Sequence, residues 1–201
     1  MPRLIAVSAG LAAPLFALNG AERFSTLSAI RKHPISTMDA PMPCRIGAQG
    51  VEGDESVERR IHGPPFQAVY VYPVEHYEFW RGLCRQFGRP EALAAGSLGE
   101  NLTVEGISES DVWIGDLLAV GNVRLRVTRS REPCFKLNAH LGLSMAAKMM
   151  IQSGFTGFYC AVDMPGIVMA GDAMAVIPGE RSLSVLEQHR LTHDTPQRPL
   201  F

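Results

Sequence analysis

The sequence predicts a mostly β protein, a barrel or closed sheet with short helical insertions. Three observations carry this. Glycine and proline supply 19 and 14 of the 201 residues, which favours many turns over long helices. In VWIGDLLAVGNVRLRVTRS, 112–130, Val123, Leu125 and Val127 alternate with Arg124, Arg126 and Thr128 beyond a Gly121-Asn122 turn, so one face is buried and the other basic or polar. Strand-like and helix-like stretches do not alternate regularly, as a doubly wound α/β fold requires.

LIAVS (4–8) reads as a first strand and FSTLSAIR (24–31) as another, by loose alternation. Residues 36–48 are turn-rich, with Pro41 and Pro43. IGAQGVEGDESVERRIHGPP (46–65), dense in glycine and charge, reads as an ordered loop, and FQAVYVYP (66–73) as a strand. VEHYEFWRGLCRQFG (74–88) predicts a helix: Tyr77, Trp80, Cys84 and Phe87 fall on one face, with Pro73 at its entry and Gly88 at its exit. GSLGENLTVEGI (96–107) predicts a turn, a polar corner and a short strand. HLGLSMAAKMMIQSGF (140–155) predicts a second helix with core-filling methionines, and FTGFYCAVDMPGIV (155–168) a strand and turn. AGDAMAVIPG (170–179) echoes IGDLLAVG (114–121), each setting Gly-Asp before a short apolar run. A short amphipathic helix begins near 182. The expected organisation is one barrel domain over 1–180 and a short C-terminal extension over 181–201, a truncated helical appendage whose last residues are loose.

Lys plus Arg is 19, Asp plus Glu is 20 and the net charge is -1, so nothing in the charge advertises a nucleic-acid surface. No run reaches the ~20 apolar residues of a membrane helix. The N-terminal apolar run resembles a signal peptide only faintly, because Gly10 and Pro14 interrupt it. The cysteines stand at 44, 84, 134 and 160 with no CxxC pair, so neither a zinc knuckle nor a dithiol site is expected. The reading is four reduced thiols in a cytoplasmic protein that uses neither nucleic acid nor membrane. HExxH, P-loop and GxGxxG signatures are absent.

Cys84 and Cys160 fall in apolar patterns and read as core. Cys134 follows Pro133 outside any apolar periodicity, with Arg129, Arg131 and Lys136 close in sequence. Neighbouring cations favour a thiolate, the species that attacks an electrophile or binds a soft metal. The residues alone leave a structural thiol, a nucleophile and a metal ligand all open. Polar corners at His62, at Glu100 and Asn101, and at Lys136 and Asn138 offer further donors, and Arg131 and Lys136 suit an anion.

GVEGDE, HGPPFQAVYVYPVEHYEFW, GSLGENLTVEGI, VWIGDLLAVGNVRLRVTRSREPCFKLN and SGFTGFYCAV together, in this order, resemble the MOSC (molybdenum cofactor sulfurase C-terminal) domain family, in particular its small bacterial YiiM-type members. The resemblance runs over about residues 4–178. It implies a MOSC-like β-barrel and the molybdenum cofactor (Mo-molybdopterin). The implied activity is reduction of N-hydroxylated bases or related small N-oxygenated compounds, a detoxification chemistry. By resemblance Cys134 is the catalytic residue and the metal ligand. His62, Glu100, Asn101, Arg131, Lys136 and Asn138 are the cofactor-binding set. A separate electron-donating reductase is implied as partner, because the chain carries no flavin or iron–sulfur signature. The resemblance also allows a homodimer.

The chain departs from the family where HGGPDKAV or HGGPDRAV is usual and HGPPFQAV stands here. Pro64 replaces a flexible glycine, Phe66 an acid and Gln67 a base, which stiffens the loop and removes a positive charge. Two other readings follow. One is a module that binds the cofactor, or carries sulfur on Cys134, without turnover. The other is a divergent barrel without cofactor.

Overall fold

The computed structural model describes residues 1–19, 22–55, 57 and 65–193. The chain runs β1 (Arg3–Ala9), β2 (Ala13–Asn19), β3 (Glu22–Ser28), β4 (His33–Thr37), β5 (Cys44–Gly47), β6 (Gly50–Val51), β7 (Val69–Pro73) and α1 (Tyr77–Gln86). It continues with β8 (Leu102–Glu105), β9 (Leu117–Val120), β10 (Val123–Ser130), α2 (Phe135–Leu141), α3 (Ala146–Ser153), β11 (Phe158–Met164), β12 (Gly166–Val168), β13 (Met174–Ile177) and α4 (Val185–His193).

Eight strands form one curled sheet in the order β13-β9-β10-β11-β7-β8-β1-β4. Its neighbours are antiparallel except for the parallel pair β7–β8. β12-β5-β6 make a small second sheet and β2-β3 a separate hairpin. The main sheet curls back on itself: Leu4 N donates to Asp172 O (2.9 Å), Gly171 N to Leu4 O (2.8 Å) and Met174 N to Pro2 O (2.9 Å). The mostly β barrel expected from the sequence is the observed architecture.

The alternation in β10 works as read. Val123, Leu125 and Val127 enter the barrel core with Leu4, Val69, Leu102 and Phe158. A second apolar cluster, including Tyr72, Trp80, Leu137 and Met150, fills the space between the sheet and helices α1–α3. Its polar atoms are satisfied internally: Trp80 Nε1 donates to Tyr72 Oη (2.6 Å) and Tyr72 Oη to Phe155 O (3.0 Å). The two Gly-Asp units do the same work. Gly115 N and Val127 N bond Val127 O and Asp116 O, as Gly171 N and Leu4 N bond Leu4 O and Asp172 O. Strands β9 and β13 that follow them then pair with each other.

Several expectations are corrected. The N-terminal apolar run forms hairpin strand β2, paired with β3 from Ala13↔Ser28 to Asn19↔Glu22. The turn-rich 36–48 stretch holds β5, and β4 ends within it. The helix expected over 140–155 is two helices. Gly142 ends α2 in the left-handed region (φ 65), and α3 starts four residues later. Phe87 lies past the end of α1 and is exposed, whereas Leu83 joins Tyr77, Trp80 and Cys84 on the buried face. His76 is buried, bonding Glu109 Oε2 (2.8 Å) and stacking on Phe155. Helix α4 docks on the barrel: Val185 joins the core, and Val185 N bonds Val112 O (3.0 Å). Among the described residues no helix is long and apolar enough to cross a membrane.

Candidate active site at the barrel rim

Strand β10 runs out at Ser130, and the next residues change direction. Pro133 has no N–H for a ladder, Cys134 is extended (φ -131, ψ -179), and α2 begins at Phe135. This corner faces a cavity open to solvent on one side. Cys134, Arg131 and Lys136 line it, together with Asn101 from the start of β8, Lys32 from just before β4 and Asp54 from just after β6. Gln67 and Tyr159 also line it.

Arg131 is 7% exposed. Its Nη1 donates to Leu98 O, and its guanidinium lies 4.7 Å from the centre of the Tyr70 ring. Among the described residues no carboxylate pairs with it. A buried cation held by a carbonyl and an aromatic face retains an unmet demand for an anion. Gly99 turns the chain beside it: its φ is +86, and a Cβ there would come within 3.0 Å of Ile30 Cγ1.

Asn101 lines the cavity and ties three segments together. Its Oδ1 accepts from Tyr70 N (3.1 Å), and its Nδ2 donates to Ser8 O (3.3 Å) and Asp54 Oδ2 (2.8 Å). Asp54 also accepts from Gly10 N (2.8 Å) and from the Lys32 ammonium. Burial lowers the Lys32 pKa, and Asp54 opposes that shift.

Cys134 is partly exposed, whereas Cys44, Cys84 and Cys160 are buried. Of the cations read around it, Arg131 and Lys136 line its cavity, while Arg129 stands off the wall and pairs with Glu132, which is on it.

Two expected site residues stand elsewhere. Glu100 is wholly buried and off the cavity wall. Its carboxylate accepts from Gly96 N (2.8 Å), Leu98 N (3.0 Å), Thr103 Oγ1 (3.0 Å) and the Tyr77 hydroxyl, bracing the 96–103 corner against α1. Burial, then the Glu100 charge, pushes Tyr77 well up, so it remains a phenol donor. Asn138 points to α3: its Oδ1 accepts from Ala147 N (2.7 Å), and its backbone O closes the end of α2. His62 and Pro64 lie outside the described residues. Sequence reasoning missed Lys32 and Asp54, although Asp54 sits in the GVEGDE motif.

This fold and corner define the class. The MOSC domain family model matches residues 58–175, more than half of the chain, and the chain belongs to that family, which is associated with molybdenum cofactor sulfurases. Within it, the chain is 35% identical over 148 residues to Protein YiiM of Escherichia coli, covering 73% of this chain and 65% of the relative. It is 35% identical over 140 residues to a protein of Gibberella moniliformis named Reductase, covering 69% of this chain and 24% of the relative. The chain thus spans less than two thirds of the length of these curated relatives. The crystal structure of YiiM from Geobacillus stearothermophilus superposes with a TM-score of 0.72 at 26% identity, covering 96% of this chain and 85% of that one.

Proposed function

We propose that this chain is a molybdenum-cofactor-dependent oxidoreductase that reduces N-hydroxylated bases or related small N-oxygenated compounds, with electrons from a separate reductase. One observation carries the reading: the single partly exposed thiol shares a cavity with a buried guanidinium that has no carboxylate partner among the described residues. The donor set fits the group. A cysteine sulfur is a soft ligand suited to molybdenum, and arginine and lysine suit the terminal phosphate of the pterin. Cys134 would hold the metal, Arg131 and Lys136 the anionic end, and Asn101 would brace the wall through Tyr70, Ser8 and Asp54. When bound, the cofactor supplies two-electron chemistry; the chain supplies position, charge and protons. The relative named Reductase agrees with this class.

A second reading, cofactor binding without turnover, is favoured by Gln67, a neutral amide on the cavity wall. The deciding experiment expresses wild type and Cys134→Ser with the cofactor pathway intact. Molybdenum and released pterin are measured per chain, and reduction of an N-hydroxylated base is assayed with a reduced viologen donor. Stoichiometric molybdenum and turnover in wild type, both lost in the variant, are expected. Loading without turnover supports the carrier reading. Wild type that stays metal-free under conditions that load a bacterial YiiM overturns both.

A further inference from the structure

Lys32 is one of only three lysines in the chain, with Lys136 and Lys148. It sits between the hairpin β2–β3 and β4, and 8% of its side chain is exposed. What little is exposed opens on the same cavity as Cys134 and Arg131. Its ammonium rests on Asp54, which also accepts from Gly10 N and Asn101 Nδ2. All three partners donate, so Asp54 serves purely as an acceptor, pinned from three segments of chain. A lysine whose counter-ion is this firmly held has a fixed address on the wall, unlike a surface lysine on a mobile stem.

The charges around it set its readiness to release a proton. Asp54 and Glu100 favour the ammonium, whereas burial and Arg131 disfavour it, and burial has the largest effect. Lys136 adds a cation, and Glu55 and Glu132 add acids, on the cavity wall.

We propose that Lys32 is the proton donor of this pocket, with Asp54 and Asn101 as positioning residues. This rests on the reductase reading above. Reducing an N-hydroxy group takes two electrons and two protons and yields the amine and water. The N–O bond breaks, and the departing oxygen would leave as hydroxide unless protonated. Lys32 gives its proton to that oxygen as the bond breaks, so water leaves. The nitrogen takes the second proton from solvent, and both electrons come from the bound cofactor, recharged by an external reductase. Lys32, now a neutral amine on Asp54, is reprotonated through the open side of the cavity.

The test has two arms. In the first, ε-13C-lysine NMR of the chain as purified gives three signals, and the one missing from Lys32→Arg is followed against pH. It should titrate below the ~10.4 of a free lysine, because burial disfavours the ammonium. A normal or raised midpoint overturns the proposal whatever the cofactor content. In the second, loaded wild type is compared with Lys32→Arg and Lys32→Met. Both variants should keep their molybdenum and their KM. Each should lose kcat by about 100-fold or more and the alkaline limb of the pH profile. Methylammonium should restore part of the rate to Lys32→Met. Loaded Lys32→Arg turning over at the wild-type rate overturns the donor role while leaving the reductase reading intact. Wild type that takes up no molybdenum removes the reductase reading and the donor role with it.

Discussion

Cys134 and Cys160 are the same residue in opposite settings. Cys160 lies in β11, paired with Val127 on one side and Val69 on the other, and is wholly buried. Burial alone pushes its thiol well up, so it behaves as a small apolar side chain. Cys134 lies just past the end of β10, where the ladder has run out, and it meets a polar cavity. The lesson is positional: in this barrel, the strand interiors build the core and the first residues beyond them line the cavity. Glu100 and Asn101 repeat the contrast one residue apart. The first turns inward to four donors, and the second turns to the cavity.

The strongest way to break this contrast is Glu100→Ala. It leaves Thr103 and two backbone N–H groups without their acceptor, while the Tyr77 hydroxyl keeps Ala94 O (3.1 Å), and each buried donor left unmet costs about 1–3 kcal/mol. The expected loss is about 3–5 kcal/mol in urea unfolding, whether or not cofactor is present. A loss of cofactor at unchanged stability would instead make Glu100 a pocket residue.

Next comes the cysteine pair itself. Cys160→Ser buries a hydroxyl among apolar side chains and should destabilise by about 1–3 kcal/mol. Cys134→Ser should move the urea midpoint by less than about 0.5 kcal/mol. Iodoacetamide should modify Cys134 in the native protein and spare Cys160. Equal costs would erase the division between interior and rim.

The smallest expected effect is on the acid side. His140, on α2 behind the cavity, bonds Ser97 O (3.0 Å). Burial lowers its pKa from 6.5 to about 4, with Arg31, Arg131 and His33 pushing the same way against the Ser97 bond. The unfolded chain therefore takes up this proton first as pH falls. Stability is lost between pH 6.5 and about 4 and no further below that. His140→Gln should flatten that part of the stability curve, measured by urea midpoints across the range. An unchanged slope would place His140 in a wetter setting than the interior.

Much of the barrel was legible because burial imposes a period on the sequence. Val123, Leu125 and Val127 must alternate if one face of β10 is to be dry. Strand β2 left no such mark: Leu15 is buried while Phe16 is exposed, so apolar residues fall on both faces, whereas the loose alternation of FSTLSAIR (24–31) did mark β3. The break at Gly142 was hidden because Leu141 and Met145 keep helical spacing across it. The candidate site was legible at Cys134, Arg131 and Lys136, which the chain itself keeps adjacent. Glu100 and Asn138 stand in the same polar corners as true wall residues, and a strut and a ligand contact demand the same kind of side chain. Lys32 and Asp54 are 22 residues apart and meet only through the fold.

The curl that joins Leu4 to Gly171 and Asp172 has a consequence for how the molecule is made. The barrel's first strand finds this partner only near the end of the domain, after most of the chain has been synthesised. Pairings of such long range raise the entropy cost of closing the loop and slow folding. Until the seam forms, only the first residues of β1, up to Leu4, lack a partner on that side, because β8 and β4 flank the rest of the strand. A nascent or truncated copy lacking residues 171–174 therefore leaves the barrel open at one seam, with Leu4 N and Leu4 O unpaired there.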